Sequence, residues 1–315
     1  MTAGGRLRHA VRAGAVIALL SGGMARGAPV DITDGEGFGE LLTALTLDLP
    51  TGWQGKGHVA WLKPCSGNDM YEVIFSAAAP DARSGLRMMP GHKVMWTEAR
   101  VGGVDPYLAQ LAVAQNEQSL AAMRSQFRDS NCHVGQVQTS EQILRALVLS
   151  KRPQGARIDR IAPNAPVMAQ FKAGIGAGTV SGIRTTYDAV IADISYTDPS
   201  GPMVERVWLS WYRFADDPAM QVPGMPGMGF ETTIIETISL AYAPASRPGD
   251  LDVAAGILAS TRVNPVWFAK VQAEQAKRQE EQRRIQAERQ AVLEAARAQA
   301  AAEAAGRDIQ RLWRP

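Results

Sequence analysis

Three methionines in a loop rich in proline and glycine are the residues best suited to bind a metal ion. Met220, Met225 and Met228 lie within nine positions, in the segment MQVPGMPGMGF. Thioether sulfur is a soft ligand that selects Cu(I) over harder cations. Methionines in such a loop also pack against a core or a partner, since their side chains are flexible and apolar. The segment predicts a plain loop, with a Cu(I) carrier as the alternative.

The two cysteines of the chain, Cys65 and Cys132, are also chemically reactive residues. In an oxidising compartment such a pair usually bonds, and closing a loop of about 67 residues would stabilise the fold by about 4 kcal/mol. Two separately buried thiols, or a thiolate site beside His133, are the alternatives. Adjacent residues of an extended segment point to opposite faces, which argues against a joint site. We therefore predict a Cys65–Cys132 disulfide.

Residues for catalysis form no recognisable pattern. The glycine-rich segment 174–178 lacks the third glycine of a dinucleotide-binding motif. His58, His92 and His133 have no second ligand at the helical spacing of a metal site, so we interpret them as structural. The sequence predicts no catalytic residue and no bound cofactor, and an enzyme with an unrecognised site is the less favoured class.

The first 27 residues have the pattern of an export signal. A basic start is followed by AGAVIALL, an apolar stretch of eight residues, far shorter than the roughly 20 that span a membrane. Small residues at Ala25 and Gly27 predict cleavage before Ala28. A retained amphipathic anchor is the alternative. We expect the mature chain in the bacterial periplasm or outside the cell, with no integral membrane segment.

The composition indicates a folded protein rather than a disordered one. Hydrophobic residues make up 46% of the chain, seven residues are tryptophan, and the net charge of +2 indicates no general affinity for nucleic acid. Residues 28–44 begin acidic and glycine-rich, which predicts a flexible lead-in. Residues 45–264 should form a globular body, with two halves meeting near 151–165 as one possible arrangement, and residues 265–315 a charged helical arm.

Helix and strand signals occur together in the first half of the body. Asp105 and Pro106 are typical of an N-cap and a first helical residue, and this helix should run to about Arg128. Thr139 and Gln142 form the pattern of a capping box and predict a second helix. Alternating apolar residues predict strands at 46–49, 71–77 and 92–99.

Three long strands are predicted in the second half. Thr185–Tyr196 and Val204–Phe214 flank a loop of turn-forming residues and should pair as an antiparallel hairpin. A third run, Thr232–Ala243, has its even-numbered residues on the expected core face, with Glu236 as a misfit. Asp250 should cap a short helix with an apolar stripe. Paired strands with helices between them predict an α+β fold with a mostly antiparallel sheet.

Parts of the chain resemble the α/β/α sandwich of PsbP-like proteins. The matching segments are LTLDLPTGW (Leu45–Trp53), the hairpin from Tyr187 to Phe214, and the closing strand and helix. The chain also resembles uncharacterised exported proteobacterial proteins that end in a long polar helix. The PsbP-like resemblance implies an exported module that binds partners rather than catalyses. It assigns no site residue, because no specific motif is shared.

The tail is the most distinctive region of the sequence. From Val266 to about Trp313 nearly every residue is a strong helix former, which predicts one helix roughly 70 Å long. Its heptad positions are mostly polar, with Arg278 between Val271 and Ile285. A solvated arm is therefore expected, and a weak coiled coil, a partner-dependent helix or a membrane-surface helix are the alternatives. The sequence as a whole predicts an exported, non-enzymatic binding or scaffold protein whose body docks a protein partner; weak self-association remains open.

Overall fold

The structure, a computed structural model, describes residues 26–61, 70–128, 130–175, 182–218 and 225–312. The chain divides into two compact units, the first ending at Asn264 and the second beginning at Pro265. We call them the body and the arm. The predicted signal peptide lies outside the described residues, except for Arg26 and Gly27, which belong to the first strand.

The body contains twelve strands in its described part. They are β1 (Arg26–Asp34), β2 (Leu42–Pro50), β3 (Gln54–Trp61), β4 (Tyr71–Ala78), β5 (Gly85–Met89), β6 (His92–Arg100), β7 (Cys132–Val134), β8 (Arg157–Pro163), β9 (Ile183–Asp198), β10 (Gly201–Asp216), β11 (Gly227–Pro244) and β12 (Arg262–Val263).

Five α-helices accompany the strands in the described chain. They are α1 (Pro106–Gln126), α2 (Ser140–Ile143), α3 (Ala165–Ile175), α4 (Asp250–Ala259) and α5 (Pro265–Leu312), the last of which is the arm. A π-helical turn, Leu144–Val148, and a 3-10 turn, Leu149–Lys151, continue α2, and we call Ser140–Lys151 the α2 segment. Among the described residues, no helix combines the length and apolar character needed to cross a membrane.

All twelve strands belong to one sheet. Its order is β12-β2-β1-β3-β4-β5-β11-β10-β9-β8, while β6 pairs with the half of β11 that extends past β5, and β7 pairs with β6. Neighbouring strands are antiparallel except for the pairs β1–β3 and β6–β7. The predicted α+β class with a mostly antiparallel sheet is confirmed.

The predicted flexible lead-in at residues 28–44 is wrong. These residues form β1 and the start of β2, and Ile32 is fully buried. The carboxylate of Asp34 accepts hydrogen bonds from the backbone N–H groups of Glu36 and Gly37 and from the Trp61 indole at 2.9 Å. The acidic, glycine-rich composition therefore belongs to a tight connection between two strands rather than to a loose segment.

A division of the body near residues 151–165 is also not observed. Residues Arg157–Pro163 form β8, which pairs with β9 at the edge of the single sheet. Most of its side chains are exposed, so the strand lacks the apolar alternation that would identify it in the sequence. The predicted hairpin is confirmed and is longer than expected, since β9 and β10 have 16 residues each.

Two of the three predicted helix starts are confirmed, at Asp105 and Thr139. The Asp105 side chain accepts hydrogen bonds from the backbone N–H groups of Tyr107 and Leu108. Thr139 and Gln142 form a reciprocal capping box at the start of the α2 segment. Each side chain satisfies backbone donors that a helix N-terminus leaves without an intrahelical partner, so both helices have fixed first turns. The prediction that Asp250 caps a helix is wrong, because Asp250 is the first residue of α4, whose N-cap is Gly249 and has no side-chain capping hydrogen bond.

The helices of the body lie on both faces of the sheet. The α2 segment contributes Ile143, Leu144, Leu147 and Val148 to a core with the inward residues of β9, β10 and β11. On the opposite face, the ring of Phe171 in α3 packs edge-on or tilted against the rings of Tyr187 and Tyr212. Arg206, also on that face, forms a 2.8 Å salt bridge with Asp252 of α4. The sheet is therefore the middle layer of three.

A β-bulge in β11 changes the expected face pattern. Ser210 pairs with Thr237 and Trp211 with Ile235, so Glu236 is an extra residue between two pairs. The core residues are Ile235 before the bulge and Ile238 after it, so the prediction of one continuous even-numbered core face is wrong. Glu236, which does not fit the alternating pattern of the sequence, is the extra residue of this bulge.

We expect the substitution Glu236→Gln to stabilise the body in a pH-dependent way. Burial raises the pKa of Glu236 to about 7, so the folded state retains a proton that the unfolded chain loses near its ordinary pKa. The free energy of unfolding of the native chain therefore decreases as the pH rises from the ordinary pKa to about 7. Near pH 8 the variant should be more stable than the native chain by up to about 3 kcal/mol.

Denaturant unfolding at several pH values measures this difference. The variant and the native chain should be equally stable near pH 4, where Glu236 is protonated in both states. The exposed Glu117→Gln change in α1 is the control and should show no such trend. A stability difference that is the same near pH 4 and near pH 8 would show that Glu236 of the folded protein does not titrate between these pH values.

Candidate functional site

A polar cleft of about 290 Å³ opens on the face of the sheet that the α2 segment partly covers. We call it the arginine cleft. It lies where β6, β9, β10 and β11 extend beyond the N-terminus of that segment. Its lining residues are Trp96, Glu98, Arg100, Gln136, Gln138, Arg184, Thr186, Arg213, Ala215, Gly229, Phe230 and Glu231.

Strand register explains why the charged side chains meet. Trp96 pairs with Glu231, Glu231 with Ala215, and Ala215 with Arg184, so one row crosses four strands. Directly paired residues of antiparallel strands point to the same face. Two rows further along, the same face carries Trp211 and Ile235 of the apolar core. The cleft is the polar continuation of that core surface.

The N-terminus of the α2 segment is fixed to the sheet by a buried hydrogen-bond network. The Ser140 hydroxyl donates to the Asp188 carboxylate at 2.6 Å and accepts from the Trp211 indole N–H at 2.8 Å. Both Ser140 and Trp211 are buried. Because these groups satisfy one another, the helix start has a defined position, and the apolar cover ends where the cleft begins.

A buried ion pair fixes the other end of the α2 segment. The Arg152 guanidinium makes two hydrogen bonds to the Glu205 carboxylate, at 2.6 and 2.8 Å, and Glu205 is 1% exposed. The Arg152 guanidinium also lies over the Tyr196 ring at 5.9 Å. Hydrogen bonding to Glu205 raises the pKa of Arg152, so this charge persists at every physiological pH.

Small residues provide the space inside the cleft. Ala215 lies between the longer side chains of Glu231 and Arg184 in the cross-strand row. A Cβ atom on Gly229 would lie 2.5 Å from Nε of Arg100, so the glycine allows this guanidinium to lie across β11. Arg100 there donates hydrogen bonds to the Glu98 carboxylate and to the Asp216 carbonyl, both at 3.3 Å.

The cleft contains both positive and negative side chains, and its arginines differ in the number of partners they have. Arg213 lies 3.7 Å from the Glu231 carboxylate and donates to the Val137 carbonyl at 3.4 Å. Burial raises the pKa of Glu231, while the charges of Arg213 and Arg184 lower it and that of Glu98 raises it. Among the described residues, no hydrogen bond or salt bridge involves the Arg184 guanidinium. The lining has three guanidiniums and two carboxylates.

The predicted methionine site is only partly described. Met220 lies outside the described residues, while Met225 and Met228 are 60% and 49% exposed. Met228 is in β11, where it pairs with Ala99, so it is not part of a loop. Within the described ranges, no group of three histidine, cysteine, aspartate or glutamate side chains could hold a metal ion. Cu(I) binding by these methionines stays the alternative prediction.

The structure brings together two histidines that the sequence treats as isolated. His133 Nε2 and His92 Nδ1 are 3.1 Å apart, because β7 pairs with β6. Burial lowers the pKa of both rings, that of His92 to about 4. At neutral pH both rings are therefore uncharged, and one ring N–H donates to the other ring. This contact joins β7 to β6 and fits the expected structural role.

Neither a family model, a curated protein nor a solved structure matches this chain. The resemblance to PsbP-like proteins therefore stays a prediction.

No residue of the arginine cleft is among the site residues that the sequence predicts. Arg184, Thr186, Arg213 and Ala215 belong to the predicted hairpin or flank it by one residue, but the pairing register of four strands decides that they share one surface with β6 and β11. One usable signal was present. Both hairpin strands change from apolar to polar residues on their core face at the same end, which indicates a surface that no helix covers.

We expect Cys132 to resist alkylation in the unreduced protein. No cysteine in the described part of the chain is a free thiol, so burial is not needed to protect Cys132 and the resistance should persist in the denatured chain. Cys65 lies outside the described residues, so its pairing with Cys132 stays a prediction. Mass spectrometry after iodoacetamide treatment of the denatured, unreduced chain should show no adduct, and prior reduction should give two. Labelling of both thiols without reduction would contradict the disulfide.

Proposed function

We propose that this protein is an exported, non-enzymatic binding protein whose body takes a small polar ligand in the arginine cleft. The observation that carries this proposal is the convergence of guanidinium, carboxamide, hydroxyl and aromatic groups on one concavity with a floor of small residues. Its volume is near the lower end of the roughly 300–1,000 Å³ that is typical of small-molecule sites. The N–H groups of arginine and glutamine can donate hydrogen bonds to a polar ligand, and such binding requires no catalytic reaction.

Export is supported by the sequence of the first 27 residues and by the cysteine usage. The apolar stretch is too short to span a membrane and is followed by small residues that suit cleavage. A disulfide between the two cysteines would require an oxidising compartment. Together these features favour the periplasm or the extracellular space as the place where the cleft meets its ligand.

The arm is proposed as a solvated helix that spaces the body or recruits a protein partner. Within α5, Arg278 lies 3.0 Å from Glu274, and Arg284 lies 2.7 Å from Glu281. Such pairs each stabilise a helix by only a few tenths of a kcal/mol, but many of them can keep a polar helix folded in water. The mostly polar heptad positions favour this role over a stable coiled coil.

A bulky residue placed inside the cleft tests the ligand-binding proposal. Thr186 lines the cleft on β9, and Thr197 lies near the far end of the same strand; both are exposed threonines. A library of small acids, amides, amino acids, dipeptides and sugars should be screened by ligand-observed NMR. Thr186→Trp should weaken any ligand found by at least about tenfold, because the indole would fill the cleft, whereas Thr197→Trp should leave binding unchanged.

Two results would contradict the proposed cleft function. If binding survives Thr186→Trp, the ligand occupies another part of the molecule. If the native protein binds no compound of the library, the cleft is not a small-ligand site of the proposed kind. Equal melting temperatures of the two variants would show that the comparison is not affected by misfolding.

Removal of the arm after Ala273 should leave the body folded and abolish partner recruitment. After Trp267, Phe268 and Val271, the tail has few apolar residues to bury, so a chain ending at Ala273 should melt within about 2 °C of the full chain. Calorimetry measures the melting temperature, and crosslinking from periplasm compares the partners of the two chains. A decrease of more than about 5 °C, or the same crosslinked partners, would contradict the proposed arm.

A further inference from the structure

Arg184 is the group in the arginine cleft whose charge is least compensated. Its guanidinium makes no hydrogen bond or salt bridge with any described residue, whereas Arg100 and Arg213 each have carboxylate and carbonyl partners. Arg184 pairs with Ala215 on the adjacent strand, and Arg213 lies two residues from Ala215 on the same face. Arg184 and Arg213 are therefore diagonal neighbours across β9 and β10.

The positive charges of Arg184 and Arg213 repel each other, and a nearby anion offsets this repulsion. Glu231 supplies part of this compensation, since it lies 3.7 Å from Arg213 and the Arg184 charge lowers its pKa. Glu231 is nevertheless a single carboxylate, and Glu98 is already hydrogen-bonded to Arg100. The lining therefore has one more guanidinium than it has carboxylates.

From this geometry we infer that the cleft recognises the carboxylate of a small, singly charged polar ligand, with Arg184 as the principal contact and Arg213 beside it. This inference deepens the proposed binding function and depends on it. Arginine presents a planar pair of N–H donors that matches a carboxylate, and a charge-assisted bond of this kind is about twice as strong as a neutral one. The space above Ala215 is where the carboxylate would lie.

The charge balance of the cleft favours a carboxylate over a phosphate monoester. A phosphate carries a charge of about −1.5 to −2 at neutral pH, which exceeds the single excess positive charge of the lining. Glu98 and Glu231 would repel the second negative charge. The carboxamides of Gln136 and Gln138 and the hydroxyl of Thr186 add hydrogen-bonding groups at the walls, which suits an organic acid or a peptide C-terminus with further polar atoms.

Matched pairs of ligands and variants test the inference. The probes are lactate with lactamide, N-acetyldialanine with its C-terminal amide, and methyl phosphate, each titrated into the full mature chain by NMR. Arg184→Gln removes the proposed contact. Arg157→Gln, at a 77% exposed arginine of β8 outside the cleft, makes the same change in net charge and is the control.

At least one carboxylate probe should bind the native chain, and its amide should bind at least about tenfold more weakly. Arg184→Gln should reduce carboxylate binding by at least about tenfold, while Arg157→Gln should change it by less than about twofold. Preference for lactate over N-acetyldialanine would indicate a small hydroxy acid, and the reverse a peptide C-terminus; both outcomes support carboxylate recognition.

Several results would overturn the inference without overturning ligand binding in the cleft. These are equal binding of a carboxylate and its amide, tighter binding of methyl phosphate, or unchanged affinity in Arg184→Gln for a ligand that Thr186→Trp excludes. If no carboxylate probe binds the native chain, the inference also fails. The proposed function is then judged separately by the wider ligand library and the Thr186→Trp comparison.

Discussion

The position of the α2 segment on the sheet is the constraint on which the rest of the body depends. Its first residue is held by the Ser140, Asp188 and Trp211 hydrogen bonds, and the residue after its last turn is held by the Arg152–Glu205 ion pair. Between these two anchors, its apolar residues cover the inner face of β9, β10 and β11. Buried polar groups of this kind tolerate few alternative positions, because a shift would leave charges and donors without partners.

Length explains why a functional surface remains beside this covered core. The α2 segment has twelve residues, a helix length of roughly 18 Å, whereas a strand of 16 residues extends about 50 Å. The long strands must therefore continue beyond the helix, and their inward residues meet solvent there. The same alternation that places Trp211 and Ile235 in the core places Arg213 and Glu231 in the open cleft. Core and candidate site are two parts of one surface.

The two buried or half-buried carboxylates of β11 show how local packing changes the chemistry of identical side chains. Glu236 occupies a bulge, and burial raises its pKa to about 7. Glu231 has its pKa raised by burial and partly restored by Arg213 and Arg184. Only Glu231 lies among groups that can bind a ligand, so an altered pKa without a surrounding cleft is better explained by sheet geometry than by function.

The sequence by itself determined the elements whose signals are local. The Asp105 and Thr139 caps, the β9–β10 hairpin and the α+β class depend on residues close together in the chain, and each was predicted correctly. Tertiary structure alone decided the roles of β1, β8 and Glu236, because each depends on distant partners. The end of β1 is fixed by the Asp34–Trp61 hydrogen bond, β8 is an edge strand that pairs with β9, and Glu236 is in a bulge opposite β10. It also decided the candidate site. Arg100, Arg184 and Arg213 are far apart in sequence, and only the register of four strands brings these like charges to one cleft.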